Sequence, residues 1–189
     1  MDFPRKINLG SGKTFLKEYI NIDIDRKWKP DIRLDLNLSI MDGRFRVFDT
    51  KRFGAVRFEK GLFDEILAVD VLEHIDSLTV CMKSCLDLLK MGGFLEIVVP
   101  YDLSLGAWQD PYHVRAFNQN SWLYYTKWSW YLGWEDEMFF LNKLEFKLSD
   151  LGSFIKENGM ELQEIVNVAR AVDGMKVQLK KVAFQPEEK

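Results

Sequence analysis

A turn with two glycines, set between two short apolar segments, is the sequence feature that most limits the fold of this chain. Lys6–Leu9 has the pattern of a short buried strand, Gly10-Ser11-Gly12 follows it, and Tyr19–Asp25 has the pattern of a second strand that ends in acids. Glycines in such a turn let the backbone approach a bound molecule, because no Cβ is in the way and a positive φ costs little. We therefore expect an α/β sheet with a ligand at the carboxyl ends of its strands.

The acid at the tip of the second strand indicates what that ligand contains. Asp23 is placed to accept hydrogen bonds from the two hydroxyls of a ribose. A glycine turn followed by a ribose-binding acid predicts a ligand of the adenosine type. A glycine turn that serves only the packing of an α/β core is the alternative.

Two common nucleotide motifs do not fit this stretch. Gly12-Lys13-Thr14 looks like the end of a phosphate-binding loop, but that loop needs a glycine at position 7, where Ile7 stands, and a full helix after the lysine. A dinucleotide motif needs a third glycine near Phe15 and a ribose acid about 20 residues further on, much later than Asp23. ATP and NAD are therefore disfavoured, and the first helix of the fold is expected to be very short.

The middle of the chain continues the α/β pattern. Phe63–Ala68 has the pattern of a buried strand, and a helix is predicted from about Leu78 to Leu89 with Val80, Leu86 and Leu89 on its apolar face. Gly92-Gly93 is expected to end that helix, and Phe94–Pro100 is predicted as the next strand.

These segments together resemble the class I S-adenosylmethionine-dependent methyltransferase superfamily over nearly the whole chain. The matching pieces are "NLGSG", "NIDID", "FDEILAVDVLEHI" and "LLKMGGFLEIVVP". Many members have three glycines in the first piece, whereas this chain has two. The resemblance implies S-adenosylmethionine as cofactor and S-adenosylhomocysteine as product.

The resemblance also implies cofactor-binding positions along the chain. The glycine turn would pass under the methionine part, Asp23 would hold the ribose, Asp35 would bind the adenine amino group, and Asp70 would contact the methionine ammonium. For Asp35 a helix cap or turn residue is the alternative. The implied cofactor-binding residues are Gly10, Ser11, Gly12, Asp23, Ile24, Asp35, Leu36, Asp70 and Val71.

Composition fits a single domain over residues 1–189. At 189 residues, 47% of them apolar, the chain can bury a real core, and a net charge of −3 gives no general attraction to nucleic acid or membranes. Cys81 and Cys85 have the spacing of neither a disulfide framework nor a zinc knuckle, and no apolar run could span a bilayer. We expect a cytoplasmic protein with reduced thiols and a loose tail at Gln185–Lys189.

An aromatic-rich segment, Tyr101 to about Leu148, exceeds what a minimal cofactor-binding core requires. It contains five of the six tryptophans. Large rings fill pockets and anchor interfaces, so the segment is interpreted as an insertion that serves as an acceptor-binding lid. A satellite core around a helix near Ser121–Tyr131, or a dimer interface, is the alternative.

Within that segment, Asp110–Phe117 resembles a "DPxHxRxF" signature of an uncharacterised branch of these methyltransferases. Asp110, His113 and Arg115 are the candidate acceptor-binding residues. An extended backbone would put Asp110 on one side, with His113 and Arg115 on the other. His113 is the candidate general base for a hydroxyl acceptor, and Arg115 could bind a carboxylate or phosphate. A structural network that closes the lid is the alternative. His74 is the only other histidine, and two histidines at unknown separation do not make a ligand set, so no metal is expected.

The sequence does not identify the methyl acceptor. A small molecule or a glycan-type hydroxyl is favoured by the aromatic segment and the acidic balance, and no membrane span is expected. The basic stretch from Asn37 to Leu62 keeps nucleic acid as an alternative, although such a run is more often a solvated loop or hairpin. A scaffold protein that keeps the fold without turnover is a further alternative.

The end of the chain completes the fold prediction. Ser149–Gly159 has the pattern of a helix with a Ser cap and a terminal Gly, and Glu161–Val168 and Met175–Phe184 alternate like a closing antiparallel hairpin. The predicted fold is a three-layer, Rossmann-like α/β sandwich with a mostly parallel seven-stranded sheet and an antiparallel last strand.

Overall fold

A computed structural model describes residues 3–41 and 43–184, so the tail predicted to be loose, Gln185–Lys189, lies outside the described residues. The strands are β1 (Lys6–Leu9), β2 (Ile20–Asp23), β3 (Ile32–Arg33), β4 (Phe45–Thr50), β5 (Gly54–Glu59), β6 (Phe63–Val69), β7 (Leu89–Pro100), β8 (Glu137–Leu148) and β9 (Val172–Ala183). The α-helices are α1 (Leu78–Leu88), α2 (Gly106–Gln109), α3 (Asp150–Glu157) and α4 (Leu162–Ile165). Short 3₁₀ turns lie at Arg26–Trp28, Leu72–His74, Gln119–Tyr125 and Ser129–Leu132.

Seven strands form one sheet in the order β3-β2-β1-β6-β7-β9-β8. The five strands from β3 to β7 in that order are parallel, and β9 runs antiparallel to both of its neighbours. Ile7 on β1 lies between Ile20 and Ile66, and all three are fully buried, as expected for strands covered on both faces. The prediction of a mostly parallel seven-stranded Rossmann-like sheet with an antiparallel last strand is confirmed.

The strand that pairs with β9 is not the predicted one. Glu161–Val168 was expected to form the hairpin partner, but it contains α4, which begins with a capping box between Glu161 and Glu164. The partner of β9 is β8, whose Leu144, Phe146 and Leu148 alternate and pack against the core. The last twelve residues of the segment interpreted as an insertion therefore belong to the sheet.

The helix α1 has almost the predicted length, but its end differs. Val80 is exposed, whereas Cys81, Cys85 and Leu86 are buried. The helix ends at Leu88 and β7 begins directly, so the glycine pair does not end the helix. A Cβ on Gly93 would lie 3.0 Å from the carbonyl oxygens of Asp64 and Lys90. That glycine therefore allows the close approach of backbone inside β7.

Three local predictions around the sheet have clear outcomes. No helix lies between β1 and β2, where a very short one was expected, because turns fill the interval. The basic stretch forms the β4–β5 hairpin, as its structural alternative predicted. The Ser149 side chain accepts a hydrogen bond from the Gly152 N–H and caps α3 as predicted. Within residues 3–41 and 43–184, no helix is both long enough and apolar enough to cross a membrane.

Candidate active-site cleft

The glycine turn after β1 approaches a second turn closely. Gly10 has φ +56, and a Cβ there would lie 2.2 Å from Cγ2 of Val71, which follows β6. Gly12 has φ +47, but a Cβ there would make only an ordinary contact, 3.8 Å from the Gly10 carbonyl oxygen. The Ser11 N–H donates to the Ile22 carbonyl at 3.0 Å, which ties the turn to β2. Position 10 thus requires glycine for both its backbone conformation and its packing. Position 12 requires glycine for its backbone conformation alone.

This difference predicts the effect of a methyl group at Gly10. Gly10→Ala should cost about 3 kcal/mol of unfolding free energy, because the left-handed penalty of about 1–2 kcal/mol adds to overpacking of about 1–3 kcal/mol. Gly61→Ala is the matched control, since Gly61 has φ +76 with nothing near its Cβ direction. Urea denaturation of both variants measures the effect, and equal losses would contradict the close packing against Val71.

Asp23 ends β2 and holds the glycine turn in place. It is 8% exposed, its Oδ2 accepts from the Gly12 N–H at 2.7 Å, and its Oδ1 accepts from the Asp25 N–H at 2.8 Å. An ionised carboxylate has about four acceptor sites, so each oxygen keeps capacity for a hydroxyl. The carboxylate is therefore fixed at the carboxyl end of the sheet with acceptor capacity left.

A cavity of about 340 Å³ lies beside these groups. Its volume is within the range of small-molecule sites. Its lining residues are Gly10, Asp23, Ile24, Leu34, Asp35, Leu36, Asn37, Asp70, Val71, His74 and Ile75. Seven of the nine residues predicted from sequence are among them, whereas Ser11 and Gly12 are not. Leu34 and Asn37 were missed because neither carries a motif signal, whereas His74 and Ile75 lie in the matching piece "FDEILAVDVLEHI" but were not singled out as cofactor-binding residues.

Asp35 has a structural partner in the same cleft. Its Oδ1 accepts from the Asn37 N–H at 2.9 Å and from the Asn37 side-chain amide at 3.1 Å. Asn37 in turn accepts from the Ser77 N–H at 2.9 Å, just before α1. Asp35 is thus a turn residue, as its alternative interpretation predicted, and it also lines the cleft.

Asp70 has an unusual backbone conformation at the opposite wall. Its φ is +50, and its N–H donates to the Val98 carbonyl at 2.9 Å. Asp tolerates the left-handed region better than most residues, but the conformation costs free energy and such outliers cluster at functional sites. The turn after β6 therefore has the character of a ligand-binding element.

A larger cavity, about 980 Å³, has a separate set of lining residues. Phe15, Arg33 and Arg52 line part of it. It contains none of the glycine turn, and the Arg52 guanidinium is already bound to the Asp31 carboxylate at 2.7 and 2.9 Å. The smaller cavity is the better candidate for a ligand site because the fixed carboxylate and the close-packed glycine turn meet there.

The two histidines meet at the edge of the cleft. His74 and His113 have ring centroids 4.6 Å apart in an edge-to-face arrangement. Nδ1 of His74 lies 3.2 Å from the Tyr112 carbonyl oxygen, and Nδ1 of His113 lies 2.9 Å from the Ala107 carbonyl oxygen. His74 lines the cleft, whereas the side chain of His113 is 8% exposed and lies behind it. The separation that sequence alone left unknown is therefore short.

Glu73 is buried between these histidines and the sheet. It is 1% exposed, and neither carboxylate oxygen has a hydrogen-bond partner among the described residues. Burial raises the pKa of Glu73 to about 7, and Asp70 and Asp110 add to the increase, whereas the nearby N–H of its own backbone and His113 oppose it. A hydrogen-bond donor or a cation is expected beside such a group, because buried carboxylates without a partner are rare.

The segment predicted to bind the acceptor is fastened to the turn after β6. It is not extended at its start, because the His113 N–H donates to the Asp110 carbonyl at 3.1 Å. Asp110 and His113 therefore lie on the same side, with 4.0 Å between Oδ2 and Nε2, contrary to the predicted alternation. The Val114 N–H donates to the Glu73 carbonyl at 2.9 Å, and Arg115 donates to the Asp76 carbonyl at 2.8 Å. The guanidinium of Arg115 thus has a structural contact.

The aromatic residues divide into two groups. Trp122 is 1% exposed, stacks on Phe117 at 5.3 Å and belongs to the same hydrophobic core as the sheet residues. The second group is exposed and consists of Trp108, Tyr112, Tyr124, Trp128, Trp130 and Tyr131. The helix expected near Ser121–Tyr131 is replaced by two 3₁₀ turns.

Comparison with known proteins identifies the fold and a partial family match. Residues 8–97 match the profile of the family described as "Methyltransferase domain", and no curated protein matches the sequence. A SAM-dependent methyltransferase from Archaeoglobus fulgidus is similar in structure, with a TM-score of 0.61, 18% identity and coverage of 94% of this chain and 86% of its own. One from Mesorhizobium loti has a TM-score of 0.53, 14% identity and coverage of 93% and 90%.

The same fold also occurs with a different stated activity. The [4+2]-cyclase SpnF has a TM-score of 0.55 with this chain at 11% identity, and the match covers 97% of this chain and 78% of that one. Identities this low establish the fold alone. The profile match covers residues 8–97, a little under half of the chain, and the structural matches show the shared fold.

Proposed function

We propose that the protein transfers a methyl group from S-adenosylmethionine to an acceptor and releases S-adenosylhomocysteine. The observation that carries this proposal is the cleft, where a fixed carboxylate at the end of β2 faces a close-packed glycine turn and the strained turn after β6. These features suit a nucleoside joined to an amino acid. The reduced, buried Cys81 and Cys85 suit a cytoplasmic location.

The cofactor roles follow the order of the elements around the cleft. Asp23 would accept from the ribose hydroxyls, and Ile24 and Leu36 would line the adenine side. Gly10 and Gly12 would pass under the methionine part, with Ser11 between them. Asp70 and Val71 would contact the methionine at the opposite wall.

The reaction would be a direct displacement at the sulfonium methyl. The acceptor atom forms a bond to the methyl carbon while the carbon–sulfur bond breaks, and the electron pair stays on sulfur. Most of the rate enhancement then comes from alignment of acceptor and methyl and from exclusion of water. A group that takes the acceptor proton, or that weakens its bond, matters most when the acceptor is a hydroxyl.

A small molecule or a glycan-type hydroxyl is the acceptor class that we favour. Three of the six basic residues in the stretch that kept nucleic acid as an alternative are ion-paired: Arg52 with Asp31, Arg57 with Glu59 and Lys60 with Glu137. Nucleic-acid affinity depends on free cations that contact phosphates. This pairing reduces the positive charge that the stretch offers to a polyanion.

Titration of the purified chain with cofactor tests the proposal. S-adenosylmethionine and S-adenosylhomocysteine should bind at one site per chain in calorimetry, and ATP and NAD should not. Absence of binding by both sulfur compounds at millimolar concentration would favour the scaffold alternative. A screen of small hydroxyl acceptors against nucleic acid with labelled cofactor then tests the acceptor class, and activity on nucleic acid alone would overturn our ranking.

A further inference from the structure

The turn after β6 and the segment around His113 bring three potential metal ligands together. One donor atom from each of Glu73, His74 and His113 lies within 4.8 Å of the others. The 3₁₀ turn Leu72–His74 supplies two of them, and the Val114 N–H bond to the Glu73 carbonyl holds the third beside them. These contacts join residues almost forty positions apart, so the cluster is a product of the tertiary fold.

Both imidazoles are oriented by backbone carbonyls. A carbonyl oxygen only accepts, so Nδ1 of His74 carries its hydrogen toward Tyr112 and Nδ1 of His113 carries its hydrogen toward Ala107. In the neutral rings Nε2 then carries the lone pair. Metal-binding histidines in proteins usually have this arrangement, in which the second ring nitrogen donates to a carbonyl or carboxylate.

Glu73 is the second observation that points to a cation. Its carboxylate is 1% exposed and has no hydrogen-bond partner among the described residues. Buried polar groups are almost always paired, because an unpaired one loses its hydration without compensation. A cation between the carboxylate and the imidazoles would supply that partner.

The distances fit with small side-chain rotations. Zinc–nitrogen bonds of about 2.0–2.1 Å place two ligands of a tetrahedral ion about 3.4 Å apart, so each donor has to move by less than about 1 Å. Oδ2 of Asp110 lies 4.0 Å from Nε2 of His113, and its side chain is 42% exposed. This carboxylate lies on the solvent side as a possible fourth ligand.

We propose that Glu73, His74 and His113 bind a divalent first-row transition metal ion, with Asp110 at its solvent side. Two imidazoles and a carboxylate suit zinc or iron better than magnesium or calcium, which prefer ligand sets of oxygen alone. The proposal reverses the sequence expectation of no metal, which rested on the unknown separation of the histidines.

A catalytic role for the ion rests on the proposed methyl transfer. His74 lines the cleft, so the ion would lie at its edge and polarise an acceptor hydroxyl bound there. The hydroxyl proton leaves to solvent, its oxygen bonds to the methyl carbon, and the electron pair of the broken carbon–sulfur bond stays on sulfur. His113 then acts as a ligand, in place of the general base predicted from sequence.

Metal titration without turnover tests the site. Chain stripped with a chelator is titrated with Zn²⁺ and Mn²⁺ in calorimetry, with Mg²⁺ as the control ion. We expect one Zn²⁺ or Mn²⁺ to bind per chain. The affinity for the ion should fall by about tenfold or more in His74→Gln and in Glu73→Gln. Asp64→Asn is the control and should leave the affinity unchanged, because Asp64 lies outside the cluster and pairs with Lys90. Thermal unfolding of each variant shows that it is folded, and half-buried His74 is the safer position to replace.

The outcomes separate this inference from the proposed function. Wild-type chain that binds neither ion below about 1 mM, or folded variants that bind as tightly as wild type, would overturn the metal site. S-adenosylmethionine titrated into the same metal-free preparation tests the other claim. Cofactor binding without metal binding defeats only the metal site, and metal binding without cofactor binding defeats only the proposed methyl transfer.

Discussion

Asp23→Ala is expected to weaken S-adenosylmethionine binding by roughly 30- to 1000-fold. Two charge-assisted hydrogen bonds to the ribose would be lost at about 1.5–3 kcal/mol each, reduced by replacement water to about 2–4 kcal/mol in total. The alanine also removes the bonds from Asp23 to the N–H groups of Gly12 and Asp25, which loosens the glycine turn. Calorimetry with S-adenosylmethionine measures the loss.

Asp25→Ala is the matched control for that experiment. Asp25 lies two residues away, but its side chain points to the Lys27 N–H and ammonium and is 41% exposed. Its replacement should leave cofactor affinity within about twofold of wild type, since an exposed ion pair contributes about 0–1 kcal/mol. The reverse result, with affinity lost at Asp25 and kept at Asp23, would assign the ribose to Asp25.

Glu137→Gln is expected to destabilise the fold by about 3 kcal/mol, because it leaves the buried Lys181 ammonium without a counterion. Lys181 is 1% exposed and lies 3.0 Å from Oε2 of Glu137, which also binds Lys60 at 3.0 Å. Burial lowers the pKa of Lys181, and Glu137 opposes that shift. Lys60→Met is the control, since Lys60 is about half exposed and should cost no more than about 1 kcal/mol. Urea denaturation compares the two.

The same ion pairs predict how stability depends on pH. Burial alone would raise the pKa of Glu137, but the hydrogen bonds and charges of Lys181 and Lys60 outweigh it and hold the pKa below its ordinary value. A carboxyl whose pKa is lower in the folded state stabilises above its unfolded pKa, near 4.3, and loses that contribution as pH falls through the folded value. Acid should therefore shrink the stability gap between wild type and Glu137→Gln. A gap that is unchanged between pH 7 and pH 3 would contradict this.

The parts of the site that sequence could predict are local. Gly10, Gly12 and Asp23 lie within fourteen residues, and their spacing already encodes a strand, a turn and a second strand. The Ser149 cap was likewise visible, because a cap and the N–H that it binds are three residues apart. Such features depend on backbone geometry that a few neighbouring residues determine.

The parts that sequence could not predict depend on packing between distant segments. Nothing near Glu73 indicates that its carboxylate is buried without a partner, since its neighbours in sequence are compatible with an exposed turn. The contact of His74 with His113 requires the segment 110–115 to dock on the turn after β6. The strand β8 was hidden for a similar reason, because its alternation follows directly on an aromatic-rich stretch that has no regular period.

A crystal structure of the chain with S-adenosylhomocysteine tests the central claim most directly. We predict the ligand in the cleft between the glycine turn and Asp70, with both ribose hydroxyls within hydrogen-bond distance of the Asp23 carboxylate. Ligand in the larger cavity beside Phe15 and Arg33, or ribose hydroxyls that do not contact Asp23, would contradict the account.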